Sequence, residues 1–360
     1  MQALDLYDSS TFERGIPHDY FAWLREHEPV HWQPPGEIRV NVADVMNVIN
    51  QDAPRHTKLR KLINKGFTKR MIDNMEAHIR ELSREIVDGV ARKGECDFVA
   101  SELPLLVIAE LVGAPREDRA KLFDWSNQMI GFEDPEFANA AGATDAMTGM
   151  FEYASHLAAK RRSAPRDDLT SVLVNAEVDG ERLDELGFNM FFMLLILAGN
   201  ETTRNAISGG MLALSENRDQ WQKLLRNPSL LPTATEEILR YVSPVITMRR
   251  TATCDTEISG QPIRENDKVV MFYPSANRDA DVFEHPERFD VTRDPNPHLA
   301  FGWGPHFCLG ASLARGEIRG IFSELLSRLP DIEVSGSVRR LRSSTVHSIK
   351  SMPVRFTPES

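Results

Sequence analysis

The sequence predicts a mainly α-helical protein with small β-sheets. Three observations carry that reading. Apolar residues recur at three- and four-residue spacing through most of the long segments. Strand-like runs are short and separated by turn signals. No internal repeat, low-complexity tract or obvious linker interrupts residues 1–360, so a single domain is expected.

The elements follow in chain order. Ile38 to Val42 is the first strand-like run. Helical periodicity covers Arg70 to Val90, Asp118 to Ile130 and Ala146 to Lys160. Leu183 to Glu216 predicts a long helix, and its apolar run from Met190 to Ala198 is far short of the roughly 20 residues that span a bilayer. Leu231 to Tyr241 is the next helix. Strands are expected at Val245 to Thr251 and Lys268 to Tyr273, with a turn at Ser259-Gly260 between them. Asp294-Pro295-Asn296-Pro297 marks a loop. A helix then runs from Ala311 to about Leu329, and Pro353 to Phe356 is a last strand.

Composition narrows the function classes. Hydrophobic residues make up 41% of the chain, enough for a sizeable core. Cys96, Cys254 and Cys308 are odd in number and far apart, which argues against a disulfide framework and suits a reducing cytoplasm. The first eight residues carry no basic or long apolar stretch of a signal peptide. A soluble, cytoplasmic protein is expected. The net charge is −11, yet Ala53 to Ile72 contains no acid and seven cations: Arg55, Lys58, Arg60, Lys61, Lys65, Lys69 and Arg70. A solvated helix face explains this. So does a docking face for an acidic protein. A nucleic-acid patch is disfavoured by the acidic total and the lack of interleaved aromatics.

Cys308 lies in Phe301-Gly302-Trp303-Gly304-Pro305-His306-Phe307-Cys308-Leu309-Gly310, just before a helix. An isolated cysteine is most often an inert core residue. Here, glycines would let a flat group approach, Phe301 could pack on its face, and N–H groups near the helix start favour a thiolate. A second unusual site is Ala198-Gly199-Asn200-Glu201-Thr202-Thr203. It places glycine, an acid and hydroxyls inside the most apolar helix, where polar groups need partners.

The first of these runs, with Ala311-x-x-Ala314-Arg315 after it, resembles the haem-ligand loop of cytochrome P-450. The second resembles that family's oxygen-activation motif. The resemblance extends from about Phe21 to Phe356. It implies the P-450 fold, with haem b between the helix at about 183–216 and the helix after Cys308, and Cys308 as thiolate ligand of iron. It implies room for O2 at Ala198 and Gly199, a hydrogen bond to bound oxygen from Thr202, and proton relay by Glu201. His56, Arg60, His306 and Arg250 would bind propionates, with Arg249 as the alternative to Arg250. Phe301 and Gly310 would contact the haem. Glu237, Arg240 and Arg288 would form a buried structural network. The basic segment, with Arg315 and Arg319, would receive a ferredoxin served by a ferredoxin reductase.

An apolar pocket is expected from Met193, Leu194, Leu195, Val245, Ile246, Met248, Val346 and His347. It suits an apolar small molecule. Local similarity points to actinobacterial relatives that oxidise steroids, branched lipids or terpenoids. The chain is short for the family before Asp52. Either it lacks a substrate cover near residues 50–51 or residues are missing from it there. The expected activity is O2-dependent hydroxylation. A peroxide-driven oxygenase and a non-enzymatic haem sensor are the alternatives.

Overall fold

The computed structural model describes residues 3–33, 48–64, 67, 69–100, 103–137, 140–178 and 180–360. Helices dominate: α1 His18–His27, α2 Arg55–Asn64, α3 Lys69–Asp88, α4 Leu103–Leu111, α5 Arg119–Ile130, α6 Ala140–Ser163, α7 Leu169–Asn175, α8 Glu185–Glu216, α9 Arg218–Arg226, α10 Leu231–Val242, α11 Tyr273–Ala276 and α12 Ala311–Arg328. The six periodic stretches appear as α3, α5, α6, α8, α10 and α12, with ends within about three residues of those expected except that α6 starts six residues earlier. Asp184 fixes the start of α8 by accepting the Gly187 N–H. Ser243, in the left-handed conformation, ends α10.

Strands are short. Glu95–Asp97 (β1), Pro353–Arg355 (β5) and Glu333–Val334 (β4) form a sheet in the order β1-β5-β4. Thr247–Thr251 (β2) pairs antiparallel with Lys268–Phe272 (β3), with Thr247 opposite Phe272. The expected strand at Ile38 to Val42 lies outside the described residues. Val48–Asn50 forms a single tight turn, and the chain then passes into α2.

One large core joins α3 through α10 to α12. On α12, Ile318, Ile321, Phe322 and Leu325 are buried, each contributing about 1.5–3 kcal/mol. α12 lies against α3, which sets Cys308 at the edge of this core. A second cluster, made by Leu6, Phe12, Tyr20, Phe21, Leu24 and Ile246, packs beside Phe272.

Candidate active site

The Cys308 loop is held by its own backbone. Gly302 (φ 72°) and Gly304 (φ 77°) take left-handed conformations that side chains disfavour. Phe307 N–H donates to the Gly304 carbonyl and Cys308 N–H to the Phe301 carbonyl, both at 3.0 Å. From α2, Arg60 donates to the Phe307 carbonyl at 2.8 Å. Cys308 is a free, half-buried thiol. Burial pushes its pKa up, while the Gly310 N–H, Arg60 and Arg315 favour the thiolate. A side chain at Gly310 would meet nothing within 4 Å, so a flat group can approach there.

Phe301 is fixed from behind. The Arg315 guanidinium lies 4.5 Å from its ring centroid. Arg315 in turn makes two 2.7 Å bonds to Glu236. Burial alone would raise the Glu236 pKa, but His298 and Arg315 outweigh it and hold the group at about 2. Of the cations expected on the docking face, Arg315 is paired with Glu236 and Arg319 lies 3.4 Å from Glu76.

Basic groups gather beside the loop. His56 is buried, and its ring centroid is 4.1 Å from that of His306. Burial lowers both imidazole pKa values. Arg60 adds to the effect at His56, and His56, Arg250 and Arg60 add to it at His306. Arg250 also acts on Tyr273. These effects favour Arg250 over Arg249 as the arginine facing the site. Two imidazoles and two guanidiniums gathered in this way fit a bound anion such as a propionate, which would favour the protonated imidazoles.

On α8 the half-open face carries Leu194, Ala198 and Thr202, one turn apart. Thr202 Oγ1 donates to the Ala198 carbonyl at 2.7 Å. Met193 and Leu195 lie to either side of this stripe and are buried in the main core, so they do not line an open pocket. Gly199 is also turned away. A Cβ there would sit 3.1 Å from Ile108, so it allows α8 to approach α4 rather than making room for O2. Glu201 is buried and paired with Arg204 at 2.6 Å. Burial raises its pKa and Arg204 opposes the rise.

The remaining pocket expectations divide. Val245, Met248 and Val346 are half-buried, and Val245 bridges Val346. Ile246 is fully buried in the second core cluster. His347 turns away from the pocket: Nδ1 lies 2.9 Å from the Val242 carbonyl and Nε2 lies 2.9 Å from Arg340. Burial and Arg340 push its pKa down to about 4.

The structural network has a different third cation. Glu237 and Arg240 are fully buried and joined by bonds of 2.8 and 2.9 Å. The third cation is Arg293, whose Nε donates to Glu237 at 3.1 Å. The Arg288 side chain is 61% exposed, and only its carbonyl takes part, accepting from Arg240 and Arg293. Arg240 also donates to the Asn277 carbonyl at 2.8 Å, and the Asn277 side chain accepts the Leu299 N–H at 2.7 Å. The network therefore braces the start of the cysteine loop. Sequence reasoning missed Arg293, Arg204 and Trp303. Trp303 is 82% exposed on that loop. An aromatic between two loop glycines was the available signal for it.

A lone thiol at a helix start, a basic cluster beside it and an acid–alcohol pair on a long helix are the arrangement of haem-thiolate proteins. A sequence model described as Cytochrome P450 matches residues 136–337. The chain is 41% identical to a steroid C26-monooxygenase of Rhodococcus jostii (strain RHA1), over 100% of its own length and 86% of that protein. It is 44% identical to a methyl-branched lipid omega-hydroxylase of Mycobacterium tuberculosis, over 86% of its length and 75% of that protein. A Mycobacterium marinum cytochrome P450 solved with pseudoionone superposes with a TM-score of 0.92 at 38% identity, covering 99% of each chain. The chain belongs to the cytochrome P450 family and is a cytochrome P450 monooxygenase. Membership implies a haem-thiolate cofactor and use of O2. Among the described residues, no helix is long and apolar enough to cross a membrane.

Proposed function

We propose that this P450 hydroxylates a steroid, branched lipid or terpenoid, with Cys308 holding haem b and a ferredoxin supplying electrons. The observation that carries the reading is the Cys308 loop, with His56, Arg60, Arg250 and His306 gathered around it. When bound, the thiolate-ligated haem supplies the chemistry that splits O2 and attacks a C–H bond.

The chain's own residues do the rest. His56, Arg60, Arg250 and His306 would neutralise propionates, and Phe301 would pack on the macrocycle. Leu194, Val245, Met248 and Val346 would supply apolar side chains that exclude water from the substrate side. Thr202 holds a hydrogen-bonding hydroxyl on the same face, and Glu201 is the acid next to it. The relatives support the substrate class through their named activities on steroids and methyl-branched lipids.

The reduced, carbon-monoxide-bound absorption spectrum tests the cofactor. A strongly red-shifted Soret band is expected, and Cys308→Ala should lose it. A wild-type protein without that band sinks the reading. A low-to-high-spin shift on adding sterols, methyl-branched fatty acids or terpenoid ketones tests the substrate class, and no shift with any of them overturns it.

The electron donor is tested by ionic strength. Arg55 and Lys61 are exposed on α2, close in the chain to Arg60 at the loop. Reduction by an acidic ferredoxin should slow as salt screens charges beyond about 8 Å at 0.15 M. Trp303→Ala should slow reduction at every salt concentration while leaving the slope unchanged. A flat salt profile counts against an acidic donor.

A further inference from the structure

α2 works on two faces. His56 and Arg60 lie beside the cysteine loop. On another face, Arg55, Lys58, Leu59 and Leu62 line a separate cavity of about 210 Å³. Its facing wall is the start of α8, with Gly187, Met190 and Phe191. Arg182 closes a third side from the hairpin of Glu177–Val178 and Glu181–Arg182. No residue of the cysteine loop lines this cavity, and neither do Leu194, Ala198 or Thr202. At about 1.5 Å per residue, Gly187 is roughly 16 Å along α8 from Ala198.

The lining is sorted by chemistry. Leu59, Leu62, Ile63, Met190 and Phe191 make an apolar floor, and all but Leu59 are buried. The charged groups stand at the rim: Arg55, Arg182 and Asp184 are exposed and Lys58 is half-buried. Asp184 accepts the Gly187 N–H at 2.7 Å as the cap of α8, so its carboxylate is already engaged. Arg182 donates to Glu177 at 2.9 Å. Arg55 is paired with no carboxylate among the described residues. Counting Glu177, the three cations Arg55, Lys58 and Arg182 meet the two acids Asp184 and Glu177, which leaves an excess of one positive charge.

No hydroxyl, amide, imidazole or indole side chain lines the cavity. A sugar or a nucleoside would leave its polar groups unpaired against such a floor. An alkyl chain would not, and each methylene it buries tightens binding about fourfold. The single excess charge at the rim matches one carboxylate. We infer that this cavity is a second ligand site, which takes a single-chain fatty acid tail first and holds its carboxylate at the rim between Arg55, Lys58 and Arg182.

The test is calorimetry with laurate on the holoprotein saturated with 4-phenylimidazole, which ligates the haem iron and occupies the distal side. One laurate site is expected. Hexanoate should bind at least tenfold more weakly because it buries fewer methylenes, and dodecanol at least fivefold more weakly because it lacks the charge. Arg55→Glu should weaken laurate at least tenfold, and Leu59→Trp, which fills the floor, should remove the site. Absence of laurate binding overturns the inference. So does hexanoate or dodecanol binding as tightly as laurate, or laurate affinity unchanged in Arg55→Glu.

A second readout needs no variant and so covers a Leu59→Trp protein that fails to fold. A laurate analogue with a diazirine at its tail end, photolysed in the same azole-loaded protein, should label residues 59–63 or 183–191. Labelling confined to residues 194–202 or to the cysteine loop overturns the inference. The carbon-monoxide band is recorded on the same preparation before the azole is added, so failure here is distinct from failure of the haem assignment.

Discussion

Arg240→Ala should be the most damaging single change in the network behind the cysteine loop, costing about 3–5 kcal/mol. That is the range for removing one member of a buried ion pair. All five guanidinium donors are in use: two reach Glu237, and the others reach the carbonyls of Asn277, Pro286 and Arg288. Its loss leaves Arg293 as the one cation bonded to the fully buried Glu237 among the described residues, takes a donor from three carbonyls, and cuts the link through Asn277 to Leu299. Arg293→Ala should cost less, about 1.5–3 kcal/mol, because Glu237 keeps Arg240, Asn296 and the Asp290 N–H. Arg288→Ala should fall within about 0.5 kcal/mol of wild type, since the side chain is exposed and the carbonyl it contributes survives substitution. Urea denaturation of the three variants gives the ranking. A loss at Arg288 matching that at Arg240 would contradict the observed network.

The contrast between Arg288 and Arg293 shows where sequence ceases to be informative. Both arginines lie in the same irregular stretch, where neither periodicity nor strand alternation fixes direction. Only the path of the loop decides which guanidinium turns inward. The cysteine loop was legible because its glycines and cysteine answer to local constraints. Helices with one apolar face, such as α3, were equally legible. α4 was not, because Leu103, Leu105, Val107, Ile108, Ala109 and Leu111 are all buried and leave no polar face to set a period. The same limit governed the pocket. Met193, Leu194 and Leu195 are alike in sequence, and only the rotation of α8 separates the half-open one from the two in the core. At Gly199 the motif suggested space, whereas packing against Ile108 is what the backbone requires.

Glu317 offers a pH test of the core that supports the loop. It lies on α12, fully buried, and Oε2 has no hydrogen-bond partner among the described residues. Burial raises its pKa well above 4.5. The folded chain therefore binds this proton more tightly than the unfolded chain does. The sign follows from linkage: the associated stability is fully present below the ordinary carboxylate pKa and is lost as pH rises through the folded value. Over that window the loss can approach about 1.4 kcal/mol per pH unit, the limit for one proton. Glu317→Gln keeps the shape and removes the titration. Its urea midpoint should fall less than that of wild type as pH rises from about 4.5, and the variant should be the more stable protein at the alkaline end. Parallel curves for the two proteins would mean that Glu317 finds a charge-stabilising partner in the folded chain.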